Sequence, residues 1–304
     1  MPHIDIGAPV GALVDWLTAN FGPLFSVIST IMLVLLDAVL LVLTAPSPYI
    51  VIAVLVALAL LERKWGFGLF TLIAFLLVLA MGLWVETMQT LALVVVATVI
   101  AVAIGIPVGI WTARSRRASS VIRPILDFMQ TLPVFVYLIP AVFFFGIGAV
   151  PGVIATTVFA IPPAVRLTEL GIRSVDKEVT EASIAFGAKP RQMLREVQLP
   201  LSMPSIMAGV NQTIMLALSC VVIAGLVGAG GLGAVVVRGI STLDVGAGFE
   251  GGLAVVFLAI YLDRLTNALA GRKRRPRRSK TQPQAATEPT TTDEPADQAV
   301  LASS

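Results

Sequence analysis

The sequence predicts an all-α integral membrane protein, and three observations support this fold class. Of its 304 residues, 57% are hydrophobic and 13% are charged, whereas soluble domains carry about 25% charged residues. Apolar segments of about 20 residues, the length that a helix needs to cross a bilayer, recur along the chain. Basic residues are concentrated between these segments and near the C-terminal end. Because backbone polar groups must be satisfied in lipid, we expect the apolar segments to be helices.

Eight segments meet or approach the spanning length of roughly 20 residues. They are 24–45, 48–61, 65–84, 88–112, 128–147, 150–168, 206–228 and 250–269. Whether the total is seven or eight transmembrane helices depends on the first segment.

The first segment contains a carboxylate, Asp37, near the same helical face as Ser26, Thr30 and Thr44. A charge at the bilayer centre costs roughly 2.5–3.5 kcal/mol. The segment therefore either spans with Asp37 facing other helices, or lies along the interface next to an amphipathic helix containing Trp16. Spanning predicts eight helices and a cytoplasmic N-terminus, whereas the interfacial alternative predicts seven and an external N-terminus.

Lysine and arginine predict the orientation of the chain. With the loop at 114–123 placed in the cytoplasm and the spans counted outward, 20 of the 21 basic residues fall on that side. Only Arg238 falls outside. The C-terminus is therefore expected in the cytoplasm.

This segmentation divides the chain into three regions. Residues 1–61 are predicted to form an amphipathic N-terminal region with the first membrane segment or segments, and 62–270 the transmembrane core. Residues 271–304 are predicted to be a basic, then disordered, cytoplasmic tail. Its seven basic residues in 272–280 directly follow an apolar segment, so we expect contact with anionic lipid rather than with nucleic acid. The Thr-, Pro- and Ala-rich remainder is typical of disordered chain.

A polar island at 171–205, GIRSVDKEVTEASIAFGAKPRQMLREVQLPLSMPS, separates two apolar segments. Within it, Gly187 suits a left-handed helix end and Pro190 suits the first turn of a second helix. Two short helices joined at a glycine would form a compact polar knob, residues 176–197, that a partner protein can grip. Pro200 and Pro204 are expected to break the chain before the next span and to stiffen that corner. The alternatives are an ordinary loop, or a helix-turn-helix on nucleic acid, which the mixed charges disfavour.

The spacing inside the island resembles a known signature. An E-A-S triplet is followed by three residues, a glycine, nine residues and V-x-L-P. This resembles the E-A-A-x3-G-x9-I-x-L-P signature of bacterial ABC importer permeases, in which a cytoplasmic ATPase grips the loop. The resemblance implies coupling roles for Glu181, Ala182, Ser183, Gly187, Arg191, Arg195, Leu199 and Pro200.

The resemblance also suggests what individual side chains do. Glu181 would cap or brace the knob, and Gly187 would permit its bend. Arg191 and Arg195 would pair with acidic groups on the ATPase, the alternative being solvated loop side chains.

Further strings narrow the resemblance and extend it over roughly 85–270. DFMQTLPVFVYLIP at 127–140 resembles the D-x-M-Q-T-x-P-x-F-V-Y-L segment of glycine betaine/proline-type permeases. Similar strings occur at 145–153, 206–219 and 228–233. The resemblance implies the type I ABC importer permease fold with a cytoplasmic coupling loop, in a bacterial inner or plasma membrane. It also implies uptake of glycine betaine, with choline, carnitine or proline as alternative cargo. Because related permeases carry an amphipathic N-terminal scaffold, it favours the interfacial placement of the first segment.

Polar residues in two apolar segments are candidates for the transport path. They are Gln130, Thr131, Tyr137, Asn211, Met215 and Ser219. The last three recur at i, i+4 and i+8, and the alternative interpretation is polar contact between packed helices. Asp127, three residues after Pro124, is predicted to lie in a first helical turn, where a carboxylate is favourable.

Glycines at the external end of 206–228 are candidates for an outer gate or hinge, because glycine permits unusual φ and close approach. They are Gly228, Gly230, Gly231 and Gly233. A plain external turn is the alternative. Arg238 and Asp244, in the external loop that follows, are candidate contacts for a docked binding protein.

The sequence contains no G-x-x-x-x-G-K-[ST] string, so we expect ATP and Mg²⁺ on a separate cytoplasmic ATPase and no cofactor on this chain. No catalytic set or metal cluster is apparent in the spans, so an enzyme is not predicted. An ion-coupled secondary transporter is the alternative class, disfavoured because the spans hold few ionisable residues.

Two further partners are expected. Aromatic faces hold quaternary ammonium groups best, but the chain has three Tyr and four Trp. An extracytoplasmic substrate-binding protein should therefore supply the affinity. One knob per chain and two ATPases per transporter imply a permease homodimer, although pairing with a different permease stays open.

Overall fold

The computed structural model describes residues 7–60 and 65–271, and every regular element in these ranges is helical. The helices are α1 (Gly7–Thr44), α2 (Pro48–Leu60), α3 (Trp65–Ala80), α4 (Trp84–Arg114), α5 (Arg116–Thr131), α6 (Phe135–Phe145), α7 (Ala149–Arg173), α8 (Lys177–Ala185), α9 (Pro190–Gln192), a π-helical turn (Met193–Gln198), α10 (Leu199–Ser219), α11 (Val221–Leu226), α12 (Gly231–Thr242) and α13 (Val245–Gly271). The all-α prediction is confirmed. The basic cluster at 272–280 and the rest of the predicted tail lie outside the described residues.

Among the described residues, five helical stretches are long and apolar enough to cross a membrane. They are Gly11–Thr44, Trp84–Arg114, Ala149–Arg173, Pro190–Leu226 and Val245–Ala268. Each overlaps one of the predicted spans, and the first and fourth begin well before the predicted start. Two further predicted spans are the apolar helices α2 and α3, which have 13 and 16 residues and pack against each other.

The remaining predicted span, 128–147, is wrong as a single helix, because α5 and α6 meet at an angle of 92°. Proline explains the break. Leu132 precedes Pro133 and is extended, with φ −73° and ψ 134°, as steric contact with a following proline ring requires. Counting the bent pair as one broken span gives six spans by length and composition among the described residues.

The most extensive helix contacts in the bundle join α4 to α7 and α7 to α10. Small residues bring these helices together. A Cβ placed on Gly105 would lie 2.6 Å from the Cβ of Ala164, and one on Gly109 would lie 2.6 Å from the Cβ of Thr168. Such small-residue contacts are the usual basis of close helix packing in membranes. Together, α4, α7 and α10 form the tightly packed core of the bundle.

Helix α1 lies on the outside of this bundle. Its Phe25 ring stacks on Phe144 of α6 at a centroid distance of 4.6 Å, and Leu36 packs against Leu93 and Val153. Most of its other side chains are exposed, including Asp37. Whether α1 spans or lies at the interface stays a prediction, with Asp37 on a face that the bundle does not cover.

Candidate functional site

The first half of the polar knob is α8, which ends in a glycine cap. Gly187 has φ +80°, and its N–H donates to the carbonyl of Ile184 at 2.8 Å. The N–H of Ala188 donates to the carbonyl of Ser183 at 3.0 Å. This pair of bonds is the Schellman motif, which requires a left-handed residue after the helix. The predicted left-handed glycine end is confirmed.

The second half of the knob begins as predicted at Pro190, the first residue of α9. The N–H of Lys189 donates to Oε1 of Gln192 at 3.0 Å, which caps this helix start. The chain then stays helical through the π-helical turn and α10 to Ser219.

The expected break at Leu199-Pro200 and Pro204 is therefore wrong. Pro200 lies in the first turn of α10, directly after the π-helical turn, and a wider turn accommodates a residue that has no N–H to donate. Pro204 lies inside α10. The second half of the knob and α10 thus form one continuous helical stretch.

No side chain of α8, α9 or the π-helical turn is buried. Most of the knob is exposed, and its half-buried side chains include Met193, Leu194 and Val197. Phe186 is 92% exposed and Ile184 is 58% exposed. Glu181, Arg191 and Arg195 are also exposed.

Within residues 7–60 and 65–271, neither arginine of the knob forms an ion pair. The Glu181 side chain makes no hydrogen bond to other described residues, so the expected bracing contact inside the knob is not formed. Ala182 is exposed, and the Ser183 hydroxyl donates to the carbonyl of Val179 at 2.7 Å. Large apolar side chains among free charges are typical of a surface that binds another protein.

Asn211, the first of the three candidate path residues on α10, is engaged inside the bundle. Its Nδ2 donates to Oδ1 of Asp263 on α13 at 2.9 Å. Its Oδ1 accepts from the Thr266 hydroxyl at 2.7 Å. For Asn211 the structure therefore agrees with the alternative interpretation, polar contact between packed helices.

Met215 and Ser219 lie on an exposed face of α10, and that face includes a residue that the sequence analysis missed. Gln212 is exposed on it at i, with Met215 at i+3 and Ser219 at i+7. Residues at i, i+3 and i+7 share one helical face, so counting back seven residues from Ser219, rather than in steps of four, identifies Gln212. A polar glutamine on an apolar helix is costly in contact with lipid, so we expect this face to meet water or another chain.

The other candidate path residues lie at the bend between α5 and α6. Gln130 and Thr131 are exposed near the end of α5. The Tyr137 hydroxyl donates to the carbonyl of Met129 at 2.6 Å and so ties α6 to α5 across the bend. Asp127 is not in a first helical turn as predicted, because α5 begins eleven residues earlier, at Arg116.

The candidate gate glycines run from an exposed turn at Gly228 to Gly231 and Gly233, which are buried in the first turn of α12. Gly228, Gly230 and Gly231 have φ values of +84°, +76° and +67°, which side chains with a Cβ rarely adopt. Gly233 is needed for another reason, since a Cβ there would lie 2.1 Å from the carbonyl oxygen of Val221.

The external loop expected after these glycines is instead mostly helix α12. The N–H of Gly231 donates to Oε1 of Gln89 at 2.8 Å, and that of Leu232 donates to the Thr90 hydroxyl at 2.8 Å. Side chains of α4 thus cap the start of α12. Arg238 is exposed on α12, and Asp244 caps α13 by accepting from the N–H of Ala247 at 3.1 Å.

Comparison with known proteins agrees with this architecture. The family model described as "Binding-protein-dependent transport system inner membrane component" matches residues 105–275. The glycine betaine/proline betaine transport system permease protein ProW of Escherichia coli (strain K12) is 51% identical over 265 residues, 87% of this chain and 74% of that protein. The glycine betaine/carnitine transport permease protein GbuB of Listeria monocytogenes is 47% identical over 88% of this chain and 96% of that protein.

A solved structure shares the fold. The inward-facing MetNI methionine ABC transporter superposes with a TM-score of 0.56 at 23% identity, over 60% of this chain and 91% of that one. The helical membrane bundle and the exposed knob between two of its spans agree with the architecture of a permease. The chain belongs to the binding-protein-dependent transport system inner membrane components, the permease subunits of ABC importers. Permeases of this family lie in the inner membrane and work with an ATPase and a substrate-binding protein.

Proposed function

We propose that this chain carries glycine betaine, or a related quaternary ammonium or proline-type compatible solute, into the cell as the permease of an ATP-driven importer. The observation that carries the proposal is the likeness to two permeases named for glycine betaine, over 74% and 96% of their own lengths. Carnitine, which appears in the name of the second, is the first alternative cargo, and choline is another.

The knob is proposed to bind the cytoplasmic ATPase. Its exposed Phe186 and Ile184 would enter an apolar groove on that subunit, and Arg191 and Arg195 would meet acidic groups there. Glu181 would act on the partner rather than inside the knob. ATP and Mg²⁺ bind to the ATPase in this proposal, and this chain binds neither.

Continuity of the helix from Pro190 to Ser219 supports a direct mechanical route. When the ATPases close on ATP, the knob is displaced, and α10 moves with the second half of the knob because the two are one continuous helical stretch. Rigid-body movement of a helix against a packed core is a common way to switch a protein between two states. The path would then open alternately to the two sides of the membrane.

A homodimer is proposed because each chain supplies one knob. The face of Gln212, Met215 and Ser219 on α10 would then line the path between two copies. The distribution of basic residues supports a cytoplasmic position for the knob and the C-terminus. On the opposite side, the glycine turn would serve as the outer gate, and Arg238 and Asp244 would contact the binding protein that delivers the solute.

Uptake of labelled glycine betaine at high osmolarity tests the proposal. The host should lack its own betaine systems and express this chain with its cognate ATPase and binding protein. We expect uptake that needs all three proteins, resists ionophores and is competed by unlabelled betaine more strongly than by choline, carnitine or proline. Uptake of another solute in its place would change the cargo, and uptake without the ATPase would contradict the class.

A further inference from the structure

Glu169 is a buried carboxylate near the end of α7 that none of the assignments above uses. It is 2% exposed. Its Oε1 accepts from the Ser119 hydroxyl at 2.7 Å and from Nη2 of Arg123 at 2.9 Å. Nε of Arg173 lies 3.0 Å from the same oxygen. One carboxylate therefore joins three groups from two different helices.

Two of these groups belong to α5, and they form part of a polar contact between α5 and α7. Ser119, Arg123 and Asp127 follow each other at i, i+4 and i+8 on α5, and Asp127 pairs with Arg166 of α7. Apart from Ser119, only Ala118 and Leu126 of α5 are buried, so apolar packing holds α5 weakly. The hydrogen bonds and ion pairs to α7 are therefore a substantial part of the contact between α5 and α7.

The third group connects Glu169 to the polar knob. Arg173 is the last residue of α7, and its Nη2 also donates to the carbonyl of Thr112 at the end of α4, at 2.8 Å. Three residues later Asp176 caps α8 by accepting from the N–H of Glu178 at 3.0 Å. Because the knob starts at Asp176, only three residues after Arg173, a displacement of the knob also moves Arg173.

We infer that Glu169 is a positioning residue that links the knob to α5, and through α5 to the bend before α6; this rests on the proposed function of the knob. Charge-assisted hydrogen bonds are short and directional. A shift of Arg173 relative to Glu169 therefore changes how firmly Glu169 holds Ser119 and Arg123. A second route from the knob, beside α10, would in this way move the broken segment formed by α5 and α6.

The test uses the complete transporter in proteoliposomes, with its ATPase and binding protein, and measures betaine transported per ATP hydrolysed. Glu169→Gln keeps the size and one acceptor but removes the charge. We expect this ratio to fall about fivefold or more while ATP hydrolysis persists. A fivefold change corresponds to the lower end of typical coupling free energies. Glu169→Asp, which retains the charge, should recover at least part of the ratio.

Arg173→Gln is the second variant. It removes the ion pair between Arg173 and Glu169 and keeps the one between Arg123 and Glu169. It should lower the ratio as Glu169→Gln does, and it keeps the inference testable if Glu169→Gln fails to reach the membrane. A ratio equal to wild type in the variants that assemble, even with both rates reduced in proportion, overturns the inference. Wild-type proteoliposomes that move no betaine would instead contradict the proposed function.

Discussion

Glycine serves opposite purposes in the packed core and in the polar knob. At Gly109 a Cβ would lie 2.6 Å from the Cβ of Thr168 and 2.7 Å from the carbonyl oxygen of Val165, so glycine is there to let two helices touch. At Gly187 nothing lies within 4 Å and φ is +80°, so glycine is there for its backbone conformation alone. Gly109 thus serves a contact between two helices of the described bundle, whereas Gly187 lies in the exposed knob that we propose binds the ATPase.

The largest effect is expected from a substitution in the core. Gly109→Leu must separate α4 from α7, because the clash involves backbone atoms as well as the Thr168 side chain. Overpacking of this kind costs about 1–3 kcal/mol or more, and we expect little folded protein in the membrane. The amount of folded protein and its unfolding temperature are measured by heating the variant in detergent and monitoring the folded fraction by size-exclusion chromatography.

Gly252→Leu is the matched control, since nothing lies within 4 Å of a Cβ at Gly252 and its φ is not positive. Its unfolding temperature should stay close to that of wild type. Equal behaviour of the two variants would show that the contact between α4 and α7 is not the tight one described.

In the knob we expect the reverse pattern, loss of binding without loss of stability. Phe186 is 92% exposed, so Phe186→Ala removes little contact inside the chain. Large aromatic anchors contribute about 2 kcal/mol or more to an interface, which corresponds to roughly 30-fold weaker binding. Binding of the purified ATPase to the permease in nanodiscs measures this.

The control is Phe249→Ala, which removes an aromatic side chain that is 69% exposed at the start of α13. Its affinity for the ATPase should equal that of wild type. If Phe186→Ala binds the ATPase as tightly as the control does, the knob is not the docking surface.

The smallest effect is expected between these regions, on α10. Asn211→Ala removes two hydrogen bonds to α13, and interhelical bonds of this kind contribute about 0.6 kcal/mol each on average. We expect a destabilisation of about 1 kcal/mol, measured as a shift in reversible unfolding in mixed micelles. Ser219→Ala, on the exposed face, should leave stability unchanged. If Ser219→Ala lowered stability and Asn211→Ala did not, the path interpretation of Asn211 would be favoured instead.

Local chemistry made the knob predictable from sequence. A glycine that ends α8 and a proline that begins α9 act within a few residues, so their spacing was sufficient to predict both helix ends. The same holds for the long apolar helices, which length and apolar composition identify, but not for 128–147, where the bend at Pro133 breaks the segment.

Contacts between distant segments were not predictable in this way. Helix α12 depends on Gln89 and Thr90, each 142 residues away in sequence from its partner. For Asn211 the sequence left both a path role and a helix contact open, because nothing in its neighbourhood reveals Asp263. Glu169 was missed because Arg123, 46 residues away, is brought to it only by the fold.

Uptake by Gly187 variants tests most directly the claim that the knob drives transport. Gly187→Val places a β-branched residue at φ +80°, where it is strained, while no atom within 4 Å is disturbed. Gly187→Asn is the control, because asparagine tolerates this conformation. With equal amounts of protein in the membrane, we predict that betaine uptake falls to background in the valine variant and largely persists in the asparagine variant. Wild-type uptake by Gly187→Val would contradict the account.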